Sequence, residues 1–273
     1  MYRFTFVSIL RFVAVAGALA LTLALVTSCG GSIIALISPN SLLFLHHSVG
    51  DGLIVEGNMR AAVTAYNALH DTTLALWDHG YNADGLRDPT GHATGSSYNI
   101  PGDNTDPDGL HALWTSPATA YKTCRNTLLD NHRVIAFKSC FTASDIADDA
   151  QLQQYKDWYL AMRDVFDAHP DHVFVVMSPP PLHRLSTTPA AAARARAFAS
   201  WLSSDAYLQG HANVRCYNLF NALAQPDDGS PTANMLLFVY ERDHADGDSH
   251  PNTLANQTVG PLLANFLCAA AGG

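Results

Sequence analysis

The chain has 273 residues, 15 Lys+Arg against 24 Asp+Glu, and a formal net charge of −9. That length suits one large domain or two small ones, and with no linker visible a single domain is expected. With 48% hydrophobic and only 14% charged residues, there is ample apolar side chain for a core, which excludes wholesale disorder. Lysine occurs only as Lys122, Lys138 and Lys156, and no basic run is present, so a phosphate-neutralising nucleic-acid surface is excluded.

The N-terminus carries Arg3 and Arg11 and no acid, and a 15-residue apolar run from Phe12 to Val26 leads into Thr27, Ser28 and Cys29. This is a secretory pattern, and the run is shorter than the roughly 20 residues a spanning helix needs. Val26-Thr27-Ser28-Cys29 resembles the bacterial lipobox, which implies a lipoprotein-type signal peptide over residues 1–28. Acylated Cys29 would then open a short tether (29–40), followed by a globular domain over 41–273. An uncleaved anchor is the alternative, because Ile33 to Ile37 could extend the apolar stretch past Gly30-Gly31. Removing residues 1–28 takes away two arginines and no acid and leaves a net charge of −11. The mature protein is therefore expected to be acidic and exported, meeting a membrane only through its N-terminal segment.

Five short apolar runs follow in chain order and read as strands: Leu42–Leu45, Thr73–Trp77, Val134–Phe137, Val173–Met177 and Val214–Phe220. Helical periodicity lies between the later ones. Leu152, Tyr155, Tyr159, Met162 and Phe166 recur at 3,4,3,4 spacing, which keeps one helix face apolar. Ala191, Ala195, Phe198 and Leu202 form a second such face after Thr188-Pro189, a good N-cap and first-turn pair. A last helix is expected from about Thr253 to Cys268. Continuous apolar strands separated by helices predict a parallel sheet covered on both faces, a doubly wound α/β domain. Tyr81–Trp114, rich in Gly, Asp, Asn and Pro, breaks the alternation and reads as a long functional loop. Its Asp103–Gly109 stretch has some likeness to a calcium loop, but Trp114 stands where the twelfth-position Glu of an EF-hand would be, so no metal is assigned. Export permits disulfides among Cys124, Cys140, Cys216 and Cys268. The pairing expected is Cys124 with Cys140 and Cys216 with Cys268, with buried free thiols as the alternative.

In an open parallel sheet, ligands bind beyond the carboxyl ends of the strands. His46-His47-Ser48-Val49-Gly50 follows the first strand, where the free N–H groups of a helix start can serve an oxyanion. Asp246-Gly247-Asp248-Ser249-His250-Pro251 precedes the last helix. A serine after a strand is ordinarily just a helix cap. An early serine combined with a late acid and histidine supplies nucleophile, orienter and base.

On these residues the chain resembles the SGNH (GDSL-like) hydrolases, over most of its mature length. The resemblance implies a flavodoxin-like three-layer α/β/α sandwich with a mainly parallel five-stranded sheet. It also implies a Ser48 nucleophile and a His250 base, with His46-His47-Ser48 replacing the family's usual Gly-Asp-Ser. Gly247 occupies the family's acid position, so the acid is Asp248, with Asp246 the alternative. The oxyanion donors implied are the Ser48 and Gly80 N–H groups, with Gly85 behind Gly80. No Asn follows the third strand, which leaves Ser139 or Ser144 as substitute donors. The activity implied is hydrolysis of carboxylic esters without metal or organic cofactor, and export suggests acetyl groups on glycans, or lipids, as substrates. An O-acyltransferase with the same triad and a non-catalytic surface lipoprotein are the rival readings. The spacing is not Gly-x-Ser-x-Gly, which disfavours an α/β-hydrolase elbow. Neighbouring strand residues point to opposite faces, so His46 and His47 are read as packing or substrate contacts rather than as a chelating pair.

Overall fold

The strands form where apolar runs leave almost no room for polar side chains. A computed structural model describes residues 39–272. The expected signal peptide, the Cys29 lipidation site and residues 29–38 of the expected tether lie outside the described residues. In chain order the elements are β1 (Ser41–Leu45), α1 (Ser48–Val55), α2 (Met59–His70), β2 (Ala75–His79), β3 (Leu86–Arg87), α3 (Pro107–Thr115), α4 (Thr119–Asn131) and β4 (Val134–Lys138). There follow α5 (Asp149–Asp167), β5 (Val173–Met177), α6 (Pro189–Leu202), α7 (Asp205–Leu208), β6 (Val214–Tyr217), α8 (Leu219–Leu223) and α9 (Thr253–Ala271).

One sheet carries the strands in the order β3-β2-β1-β4-β5-β6, parallel except for the antiparallel β3. Every residue of β1, β4 and β5 is buried, as expected for central strands covered on both faces. On one face Leu43, Ile135, Phe137, Phe174 and Val176 pack against α3–α7 around Trp114 and Phe166. On the other, Leu42, Phe44, Ala136, Val175 and Met177 pack against α1, α2 and α9. The result is a three-layer α/β/α fold, and its five parallel strands follow the flavodoxin-like order.

Three expectations need correction. Among the described residues the sheet has six strands rather than five, because two residues inside the Tyr81–Trp114 segment pair with β2 through Asp78↔Arg87 and His79↔Leu86. The second strand runs two residues later than its apolar run, through Asp78 and His79, both buried. The disulfides are absent: Cys124, Cys140, Cys216 and Cys268 are all free. Cys216 packs on one face of the sheet and Cys268 belongs to the core on the other, so the sheet separates them. Cys124 is held in the core by α4, whereas Cys140 lies past the carboxyl end of β4, its N–H donating to Thr105.

Strand order reverses between β1 and β4, which opens a crevice at their carboxyl ends. Behind it, the end of α1 approaches α9 closely. A Cβ at Gly57 would lie 2.4 Å from the Asn256 carbonyl oxygen, and one at Gly260 would lie 2.8 Å from Gly57 Cα. Only glycine on both sides lets the end of α1 sit against α9, with Asn256 Nδ2 donating to Glu56 at 2.8 Å.

Candidate active site

Ser48 is the first residue of α1, and His47 caps the helix through its backbone with no side-chain bond. The Ser48 side chain is therefore free of capping duty, and its hydroxyl donates to His250 Nε2 at 2.8 Å. His250 Nδ1 donates to Asp248 Oδ1 at 2.6 Å, and the same oxygen accepts the His250 backbone N–H at 3.0 Å. This double contact explains how an acid only two residues away reaches the ring: the turn folds the carboxylate back onto its own histidine. Partial burial pushes the Asp248 carboxyl up, but the two His250 hydrogen bonds and the His250 and Arg242 charges outweigh it and hold the group below the usual carboxylate range. Asp246 does not reach the ring. Its carboxylate accepts the Asp248 N–H at 2.8 Å and shapes the turn.

The loop bearing His250 is tied down on both sides. Glu241 pairs with Pro251 across a β-bridge, and Asn252 caps α9 by accepting the Ala255 N–H at 3.1 Å. Glu241 is buried between His183 at 2.9 Å, Arg184 at 3.2 Å and His244 at 2.7 Å. Ser249 accepts the His183 N–H at 2.9 Å, and Phe141 sets its ring edge-on to His250 at 4.8 Å.

Beside Ser48 opens a cleft of about 220 Å³, lined by His46, His47, Asp78, Gly80 and Tyr81, with Asp51, Asp84 and Arg87 at its exposed side. The N–H groups of Ser48 and Gly80 meet no protein acceptor among the described residues. The alternative donors are occupied. The Gly85 N–H bonds the Tyr81 carbonyl at 3.1 Å, Ser139 Oγ faces Tyr159 at 3.5 Å inside the core, and Ser144 Oγ donates to Pro180 at 2.7 Å. A second hollow of about 360 Å³ lies on the Asp248 side, lined by Phe141, Thr142, Leu182 and Ser186 among others.

Several residues at the site carry no motif. Asn104 accepts from His47 Nε2 at 3.3 Å, and its neighbour Thr105 accepts the Cys140 N–H past β4. The long acidic loop thus delivers an Asn to the edge where the expected post-strand Asn is missing. Burial and the nearby Lys138 lower the His47 pKa to about 4, so this ring is neutral at pH 7. Burial brings Lys138 itself down to about 8, and its one protein acceptor among the described residues is the Ser139 carbonyl.

The sequence matches no protein-family model and no curated protein. Among solved structures, one from Streptococcus pneumonia, described as a proposed platelet activating factor, aligns over 86% of both chains at 13% identity with a TM-score of 0.47. A gut microbial diltiazem-metabolizing enzyme aligns at 12% identity and a TM-score of 0.48, over 87% of this chain and 48% of its own.

Proposed function

We propose that the chain is an exported serine esterase of the SGNH type, acting on carboxylic esters. The observation that carries this reading is the unbroken run Asp248–His250–Ser48, with both links at hydrogen-bond distance. Ser48 Oγ attacks the ester carbonyl while His250 Nε2 takes its proton. The oxyanion forms against the Ser48 and Gly80 N–H groups, which have no other acceptor to leave. On collapse, the C–O bond to the alcohol breaks and His250 returns the proton to the departing oxygen. Water, deprotonated by the same nitrogen, then cleaves the Ser48 ester and releases the acid. Asp248, held ionised, keeps the Nδ1–H tautomer and stabilises the imidazolium. Asn104, brought to the site by the loop, supplies an amide for a third donor.

The cleft favours a small acyl group on a neutral sugar. Its exposed side presents the Asp51 and Asp84 carboxylates, which accept from hydroxyls, and the half-exposed Tyr81 ring, which a sugar face can cover. The same acids repel polyanions. The test is hydrolysis of p-nitrophenyl acetate, longer-chain p-nitrophenyl esters and acetylated neutral oligosaccharides, with serine-directed phosphonate labelling. Turnover that falls with chain length, and covalent label on Ser48, are expected. A wild-type protein inert on every ester and unlabelled would overturn the esterase reading. Label without turnover, relieved by a sugar acceptor, would replace hydrolysis with acyl transfer.

A further inference from the structure

Beneath the nucleophile lies a buried polar array that the relay itself does not use. His46 and Asp78 are 3% and 1% exposed. His46 Nε2 meets Asp78 Oδ2 at 3.1 Å, and Arg60 binds the other Asp78 oxygen. Burial pushes the Asp78 carboxyl up, and the hydrogen bonds and charges of His46 and Arg60 overcome it, keeping the group below its ordinary range. The second ring nitrogen, Nδ1, faces the His47 carbonyl oxygen at 3.0 Å. A carbonyl oxygen can only accept, so Nδ1 carries the proton that it donates to His47, while Nε2 lies against the Asp78 carboxylate.

The His47 carbonyl is one end of the peptide unit whose other end is the Ser48 N–H. That carbonyl takes two hydrogen bonds, from His46 and from the Asp51 N–H at 3.0 Å. Because the peptide is planar, fixing its C=O fixes the direction of its N–H, and a donor on the oxygen polarises the N–H further. The chain makes room for this ring: a Cβ at Gly50 would lie 2.3 Å from His46 Cβ, so only glycine lets the imidazole tuck under the first turn of α1.

We propose that His46, held by Asp78 and Arg60, is a positioning residue that aims and polarises the Ser48 N–H toward the oxyanion. The proposal rests on the Ser48 esterase reading. It locates the contribution in the step that builds negative charge on the substrate oxygen, so it acts on kcat more than on KM.

Two substitutions separate the two ends of the ring. His46→Asn places an amide near the former Nδ1 and keeps a donor for the His47 carbonyl. His46→Gln places it near the former Nε2 and keeps only the Asp78 contact. In the full chain, His46→Gln is expected to lower kcat about tenfold with KM within about twofold, whereas His46→Asn lowers kcat about threefold or less. Affinity for a boronate that forms a tetrahedral Ser48 adduct should fall in parallel with kcat. The reverse order, or equal losses confined to KM, overturns the proposal. Should either variant fail to fold, ring-nitrogen NMR of histidine-labelled wild type decides. A slowly exchanging His46 Nδ1–H proton at pH 7 upholds the bond to the His47 carbonyl, and its absence refutes the proposal. Loss of that signal in a wild type that still hydrolyses esters would refute this proposal and leave the esterase reading standing, whereas a wild type inert on every ester and unlabelled by the phosphonate would remove both.

Discussion

β1 carries a serine at its start and another just past its end, and each meets a histidine. Ser41 Oγ lies 2.6 Å from His132 Nδ1, and Ser48 Oγ lies 2.8 Å from His250 Nε2. By distance the two pairs are equivalent, and their surroundings make them opposites. Behind His250 stands an ionised Asp248; behind His132 stands the Tyr98 hydroxyl. A general base must become a cation in the transition state, which a carboxylate favours and a buried neutral site opposes. Burial alone lowers the His132 pKa to about 4. Ser41 sits within the sheet in register with Ala75, whereas Ser48 opens a helix whose first N–H groups have no partner. On the proposed reading, a Ser–His contact makes a nucleophile only where an acid, an unengaged donor and access coincide.

The largest expected effect breaks this comparison directly. Ser48→Ala and His250→Ala should each lower kcat/KM on p-nitrophenyl acetate by about 10⁴-fold or more, the scale seen when members of such a relay are removed. Ser41→Ala should leave it within about twofold, since Ser41 touches neither cleft residue nor relay. If Ser41→Ala matched Ser48→Ala in activity and in phosphonate labelling, the assignment of nucleophile to the carboxyl edge would fail.

A smaller effect sharpens the role of the acid. Asp248→Asn should lower kcat about 10²- to 10³-fold, less than the roughly 10⁴ known for a fully buried acid, because the Asp248 side chain is 33% exposed and water can partly replace it. Asp246→Asn retains an oxygen that can accept the Asp248 N–H and should cost about threefold or less. Steady-state kinetics on the two variants checks the order, and a larger loss at position 246 would show that the turn, rather than the Asp248 carboxylate, orients His250.

The sheet was legible wherever burial comes from carbon. Val134–Phe137 and Val173–Met177 read as strands because both of their faces are covered by apolar packing. The apolar run Thr73–Trp77 sets the second strand two residues before Ala75–His79 because Asp78 and His79 are polar, and their burial depends on partners distant in sequence, such as Arg60 on α2. Two-residue β3 exists by pairing with β2 on one side and by the Arg87–Ala93 bridge on the other, so no periodicity could announce it. At the site, Ser48, Asp248 and His250 were legible because two of them are near neighbours and all three flank element boundaries. Asn104 and the His46–Asp78–Arg60 array were not, since each is assembled across loops or layers. What Gly50 and Gly260 must clear is visible only once the opposing atoms are in place.

The mildest effect concerns the inert pair and bears on stability, not turnover. His132 is 2% exposed, and its folded pKa of about 4 lies below the roughly 6.5 of an exposed histidine. The unfolded chain therefore binds the proton first as pH falls. The stability tied to neutral His132 is complete above pH 6.5 and is lost between 6.5 and about 4. The loss amounts to about 3 kcal/mol by linkage. His132→Gln removes the titration. It should lower stability at pH 7 by about 1–2 kcal/mol, because the amide cannot serve Ser41 and Tyr98 as well as the imidazole does. It should also flatten the decline from pH 6.5 to 4, so the two denaturation curves converge or cross on the acid side. Urea midpoints across that range, with kcat at pH 7.5 as the control, test both halves. An unchanged acid slope would mean that His132 is already charged in the folded protein. The contrast between the two serines would then have to rest on access and on the free N–H groups alone.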